Sequence, residues 1–242
     1  FLKSPEFKNN ECFRIPKVRN LLTLDRFKNI HQNKIKKYLT VSKSICNNAI
    51  LHNTSYERMF YSDMSNRPDL ISKPLSSMNS VILNGDNMKV LSVGSRTEAE
   101  IFSLVDAGFN IDNIVGIDLF SYSELIKLGN VCNLPFPAET FDVIVCGWVL
   151  EFVTEIEKAA LELKRVTKPG GLIAIGGMHH PSTLNMGEYN ERKKHQDRKW
   201  YASVNNILKT FNVSHKECVF KSEICDKDID KRGDVVVIFR KT

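Results

Sequence analysis

The chain has no stretch near the roughly 20 apolar residues that a membrane-spanning helix needs. Its longest apolar run, "VIVCGWVL", has the length of a strand. Its start shows no charged segment followed by an apolar one, so no export leader is expected. It begins with Phe1 rather than Met, and we expect a piece of a longer protein. The six cysteines (Cys12, Cys46, Cys132, Cys146, Cys218 and Cys225) include no C-x-x-C pair. That argues against a zinc knuckle and against a disulfide framework, and leaves reduced, mostly buried thiols in a cytoplasmic protein. Repeats, low-complexity tracts and nucleic-acid-reading motifs are missing too, so no nucleic-acid partner is expected. Glycine is scarce: 12 residues in 242. It is scarcest where a nucleotide-binding turn would concentrate it.

What remains is the composition of a globular protein, 42% hydrophobic and 26% charged. The net charge of +6 is unevenly placed. Residues 1–50 hold eleven Lys and Arg against three Asp and Glu, which leaves the rest slightly acidic. Such an arm suits a phosphate-bearing or otherwise anionic partner, or simply solvated helix faces. We divide the chain into a basic, mainly helical extension, 1–85, and a domain, 86–242. Within the extension, "NLLTLDRFKNIHQNKIKKYL" (20–39) carries a rough apolar stripe at helical spacing.

From residue 88 the pattern changes. "MKVLSVG" reads as a buried strand and "TEAEIFSLVDAG" as a helix. Thr97 and Glu100 are spaced as a capping box, and Gly108 is placed as the stop. "NIVGIDLF" (113–120) and "FDVIVCGWVL" (141–150) are further strands; the second is apolar throughout, as in a parallel sheet covered on both faces. "EIEKAALELKRVT" is an amphipathic helix, "KPGG" a turn and "LIAIGG" a strand. The tail reads as a helix, "DRKWYASVNNILKTF", and then two strands, "NVSHKECVFKSE" and "DVVVIFRKT". This order predicts a doubly wound α/β sheet, mostly parallel, closed by an antiparallel hairpin.

The strand-to-helix turn "VGSRTE" is where a ligand is expected. A helix start offers backbone N–H groups and a positive dipole end to an anion. The dinucleotide fingerprint needs three glycines there, and this turn keeps only Gly94. A pyrophosphate fits poorly; a single carboxylate needs less room, and Arg96 could grip it with two N–H groups. Asp118 closes the next strand, where a carboxylate accepts from both ribose hydroxyls. Gly94 and Asp118 together point to an adenosine-bearing ligand.

In these residues the chain resembles the class I S-adenosylmethionine-dependent methyltransferases, over roughly residues 85–178. "VLSVGSRTE" lies where that family has its glycine-rich motif, and "VGIDLF" where it has an acidic one. "LGNVCNLPFPAETFDVIVCGWVLEFV" and "LKRVTKPGGLIAI" resemble its later motifs. "VGxRTE" with "IDLFSYS" is similar to a subgroup associated with surface glycans. The resemblance implies the family's Rossmann-like seven-stranded sheet, S-adenosylmethionine as cofactor, and a small-molecule or glycan acceptor. It also implies site roles. Gly94, Ser95 and Arg96 would hold the methionine part. Asp118 would bind the ribose, with Leu119 against the adenine. Asn130 and Val131 would meet the adenine edge, and Cys146 and Gly147 would line the sulfonium side. Ser92, Arg96, Glu98 and Asn130 depart from the family's usual residues.

Methyl transfer to a hydroxyl needs alignment and a base. His179 and His180 follow the strand "LIAIGG" and Glu151 the strand "FDVIVCGWVL"; all three are candidates. Neighbouring residues at a strand end face opposite ways, so one histidine at most would serve. The pair lacks a third ligand at a telling spacing, so no metal is expected. The expected activity is O-methylation of a sugar hydroxyl, in the cytoplasm, with a neighbouring catalytic domain as a possible companion. A rival is a non-catalytic scaffold of this fold within a larger glycan-synthesis protein. A second rival, a nucleotide-dependent oxidoreductase, conflicts with the missing glycines and the "KPGG" turn.

Overall fold

The structure is a computed structural model, and it describes residues 15–28, 36–37, 67–179, 202–225 and 231–242. His180 and the polar segment 185–200 lie outside the described residues.

Seven strands form one sheet. They are β2 (Val90–Val93), β3 (Ile114–Asp118), β5 (Ile126–Leu128), β6 (Phe141–Gly147), β7 (Thr167–His179), β8 (Cys218–Ser222) and β9 (Gly233–Arg240). Their order is β5-β3-β2-β6-β7-β9-β8. The first five run parallel. β9 enters antiparallel between β7 and β8. This is the expected doubly wound sheet with its C-terminal hairpin. All four positions of β2 are buried. That explains its unbroken apolar character, apart from Ser92.

Helices cover both faces. On one lie α2 (Asp69–Ser76) and α4 (Glu98–Asp106), whose Ile71, Leu75, Ile101, Phe102 and Leu104 pack with Val90, Val143, Val145 and Ala174. On the other lie α5 (Ile156–Val166) and α6 (Val204–Thr210), which pack with Leu91, Val93, Ile144, Cys146, Ile173 and Ile175. Alternate residues of one strand thus enter two separate cores. In α5 the buried set Ile156, Ala159, Ala160, Leu163 and Val166 has the three-and-four spacing of a single stripe. A short helix, α3 (Asn79–Asn84), leads into β2. Among the described residues, no helix is long and apolar enough to cross a membrane.

α4 has the expected start. Thr97 Oγ1 accepts from Ala99 N, Glu100 Oε2 accepts from Thr97 N, and both halves of the capping box are present. Gly108, with φ of 100°, ends it as expected.

Among the described residues the N-terminal stretch is part helix and part strand. α1 spans Pro16–Lys28, and Lys36–Lys37 form a short strand, β1. β1 pairs antiparallel with β4 (Phe120–Ser121), directly after Asp118. An available strand edge outweighs a loose helical stripe, since propensity is a weak prior. α1 lies antiparallel along α4. Arg19 pairs with Asp106 at the end of α4 (2.8 Å) and with Asp69 of α2. Arg26 reaches Glu98 at the start of α4, with Nη2 donating to Oε1 at 2.9 Å. Two of the arm's cations are therefore spent on internal ion pairs rather than on an outside partner.

Candidate functional site

β2 leads to β3 on one side and, later, the chain returns to β6 on its other side. Ligands of such sheets bind beyond the strand ends at that reversal. A cleft opens there, with about 510 Å³ of space counted out to its solvent-open side. Its floor is Ser92, Val93, Gly94, Val145 and Gly147 from β2 and β6. Glu100, Ser103 and Leu104 of α4 also line the cleft, as do Arg67, Pro68, Ile71, Ser72 and Trp148.

Gly94 is required twice over. Its φ is +73°, and a Cβ on it would lie 2.1 Å from Cγ2 of Val149. Gly94→Ala is therefore expected to cost about 1–3 kcal/mol in stability. It should also weaken binding in the cleft at least tenfold. Chemical denaturation and calorimetric titration of Gly94→Ala, alone and with Val149→Ala, check this. The second change should recover the part due to the clash; an alanine with no cost would show that the turn tolerates a side chain.

The turn's backbone differs from expectation. Gly94 N and Ser95 N both donate to Ile117 O, at 2.7 and 3.3 Å, and Arg96 N donates to Gly94 O. Thr97 N is taken by Glu100, Ala99 N by Thr97 Oγ1, and Glu98 N by the Tyr122 hydroxyl at 2.9 Å. The first turn of α4 thus satisfies its donors within the fold. The expected cradle of N–H groups for an anion is already filled. Ser95 is equally engaged, its Oγ donating to Ser92.

Asp118 is 5% exposed. It lies two residues beyond Gly116 and so on the face of β3 that carries α4. Its Oδ1 accepts from Phe120 N at 3.3 Å. Burial pushes its carboxyl up to about 6, against the opposing pull of the Phe120 and Leu119 N–H groups and the Arg96 charge. Asn130 is buried, and its Oδ1 accepts from Cys132 N at 2.9 Å; Val131 beside it belongs to the α5–α6 core. Cys146 is fully buried in that same core, which pushes its thiol up to about 12. Its side chain is therefore on the sheet face opposite the cleft, whereas Gly147 lines the cleft directly.

Of the proton-transfer candidates, Glu151 is buried and its Oε1 accepts from Met178 N at 2.6 Å. His179 is the last residue of β7 and pairs in register with Gly233. Alternation from Ile173 and Ile175 assigns it to the α5–α6 face. Tyr122 is buried, and its hydroxyl is occupied by the start of α4. Burial and the neighbouring Glu98 raise its pKa.

Sequence reasoning missed Arg67, Ser72, Glu100 and Ser103 as cleft residues, and did not settle the place of Trp148. Trp148 has φ of +57°, rare for a bulky residue. Its Nε1 donates to Asp234 Oδ1 at 2.8 Å, and the Arg67 guanidinium lies over its ring at 4.4 Å. Arg67 precedes α2 and carried no motif. Only the packing of α2 against β6 and β7 brings it to the cleft.

Residues 91–175 match a family model described as a methyltransferase domain. A demethylmenaquinone methyltransferase of Symbiobacterium thermophilum is 46% identical over 52 residues, 21% of this chain and 21% of its own. An uncharacterized protein of Methanocaldococcus jannaschii is 38% identical over 110 residues, 43% of this chain and 52% of its own. These matches span between about a fifth and a half of those relatives' lengths. A solved chain from the complex of the Haloferax volcanii Trm112 methyltransferase activator with a protein described as a methyltransferase shares the fold. Its TM-score is 0.54 at 14% identity, covering 74% of this chain and 92% of that one. Residues 91–175, about a third of the chain, are thus similar to a methyltransferase domain.

Proposed function

We propose that this protein, through the methyltransferase domain at its centre, transfers the methyl group of S-adenosylmethionine to a hydroxyl of a sugar. The observation that carries the cofactor part is the pairing of the Gly94 turn with the buried Asp118 at the ends of adjacent strands. Bound there, S-adenosylmethionine supplies an electrophilic methyl group. The chain does the rest. Asp118 accepts from the ribose hydroxyls. Leu119, Asn130 and Val131 border the adenine, with Asn130 fixed by its bond from Cys132 N. Gly94, Ser95 and Gly147 surround the methionine side, Cys146 contributes backbone there, and the Arg96 charge acts on Asp118. Glu151 orients the end of β7 through Met178 N. The acceptor's proton passes to a histidine of the His179–His180 pair. In this reading residues 1–85 extend the 86–242 domain. The thiols of Cys146 and Cys218 suit the cytoplasm.

The sugar acceptor rests on the "VGxRTE" and "IDLFSYS" resemblance. A second reading is an aromatic acceptor such as demethylmenaquinone, favoured by the Trp148 indole that lines the cleft and by the demethylmenaquinone methyltransferase match. Calorimetric titration with S-adenosylhomocysteine, with NADH as control, tests the cofactor. Micromolar binding of the first alone is expected; equal or absent binding would overturn the reading. Methyl transfer to sugar hydroxyls but not to demethylmenaquinone is then expected. The reverse would replace the sugar with the quinone, and binding without turnover on either would leave a scaffold.

A further inference from the structure

We propose that Arg67, rather than Arg96, grips the carboxylate at the amino-acid end of the cofactor; this rests on the S-adenosylmethionine reading. That end carries a carboxylate and an ammonium group, and the carboxylate needs donors. The turn does not supply them, because the N–H groups of Gly94, Ser95, Arg96, Thr97, Glu98 and Ala99 all have acceptors inside the fold. A side chain must therefore take the place of the backbone.

Among the described residues Arg67 is the cation that lines the cleft, which Glu100, Gly94 and Gly147 also line. A guanidinium has five N–H donors. Among the described residues one of them is engaged, by Asp234 Oδ1 at a long 3.3 Å. The group is nonetheless held in place. It stacks on the Trp148 ring, and the same Asp234 oxygen accepts from Trp148 Nε1. A planar fork fixed on one face and open at its edge suits a two-bond grip on a carboxylate. Glu100, which lines the same cleft, supplies the opposite charge for the ammonium group. Arg96 does not line the cleft, and its charge acts on Asp118.

Two probes separate this role from others. S-adenosylhomocysteine carries the amino-acid end; 5′-methylthioadenosine has the same adenosine and sulfur without it. In calorimetric titration the native chain should bind the first more tightly. Arg67→Met should weaken S-adenosylhomocysteine at least tenfold and leave 5′-methylthioadenosine unchanged. Arg67→Lys keeps a charge on the Trp148 ring, guards against a variant that fails to fold, and should lose about threefold. Arg96→Met should preserve the ratio of the two affinities. Equal weakening of both probes by Arg67→Met would mean that Arg67 acts only through Trp148. Collapse of the ratio in Arg96→Met would return the grip to Arg96. Either result overturns the proposal. A native chain that binds neither probe overturns the cofactor reading itself, before any variant is made.

Discussion

Asp118→Asn should stabilise the unliganded protein at pH 7 while removing most of its affinity for S-adenosylhomocysteine. The carboxyl titrates near 6 in the fold against an ordinary 3.8, chiefly because it is buried. Between those values the folded chain keeps a proton that the unfolded chain has released. The stability from this group is therefore full below pH 3.8 and is lost as pH rises through about 6. At pH 7 the buried carboxylate costs about 3 kcal/mol, by order of magnitude. An amide keeps the bond from Phe120 N and carries no charge to bury. The melting temperature at pH 7 should rise by roughly 6–12 °C, with little change at pH 4. Affinity should fall about 10- to 100-fold, the size of a lost charge-assisted hydrogen bond. In the native chain, affinity should also decline as pH falls below 6. Melts at pH 4 and 7 beside calorimetric titrations decide it. A variant less stable than the native chain at pH 7 would show that the carboxylate is a structural member of the turn.

Arg19→Met should lower stability by about 3–5 kcal/mol. Arg19 and Asp69 are each 4% exposed at the side chain, and Asp106 is 15% exposed. Taking the guanidinium away leaves two poorly hydrated carboxylates facing apolar methionine. Lys73 reaches Asp69 only at 3.4 Å and is itself largely exposed, so it compensates little. Adding Asp69→Leu to Arg19→Met should recover a good part of the loss, because that change also removes one stranded charge. Urea denaturation of the two variants tests this. A loss below 1 kcal/mol in Arg19→Met would mean that α1 is only loosely attached to α2 and α4.

The sheet was legible because β2, β3, β6 and the "LIAIGG" part of β7 are largely apolar and turns fall at Gly94 and Gly108; "KPGG", read as a turn, instead lies inside β7, with Gly170 at φ of 72°. The capping box at Thr97 was legible from spacing alone. β4 and β5 were not, since two and three residues leave no period to read. The rough apolar stripe over 20–39 gave no sign that Lys36–Lys37 would take the strand edge that β4 offers. At the site, position along the strands placed Gly94, Asp118 and Gly147 together. Position could not say that Cys146 faces the other core, or that the donors of the Gly94 turn are already engaged. Those depend on the pleat of β6 and on the carbonyl of Ile117. Arg67 was out of reach altogether, because a lone arginine before a proline has no pattern to mark it.

The place of β9 sets a timetable for the chain's birth on the ribosome. β9 pairs with β7 along eight residues, and Val235–Phe239 are almost wholly buried. Until residues 233–240 have been made, the "LIAIGG" edge of β7 has nothing to bond. At roughly 5–20 residues per second, the segment between the two strands takes about 3–10 s to synthesise. For that time a flat, apolar, uncharged strand edge stands open, of the kind that seeds aggregation. The sheet therefore closes only once residues 233–240 have emerged and reached β7.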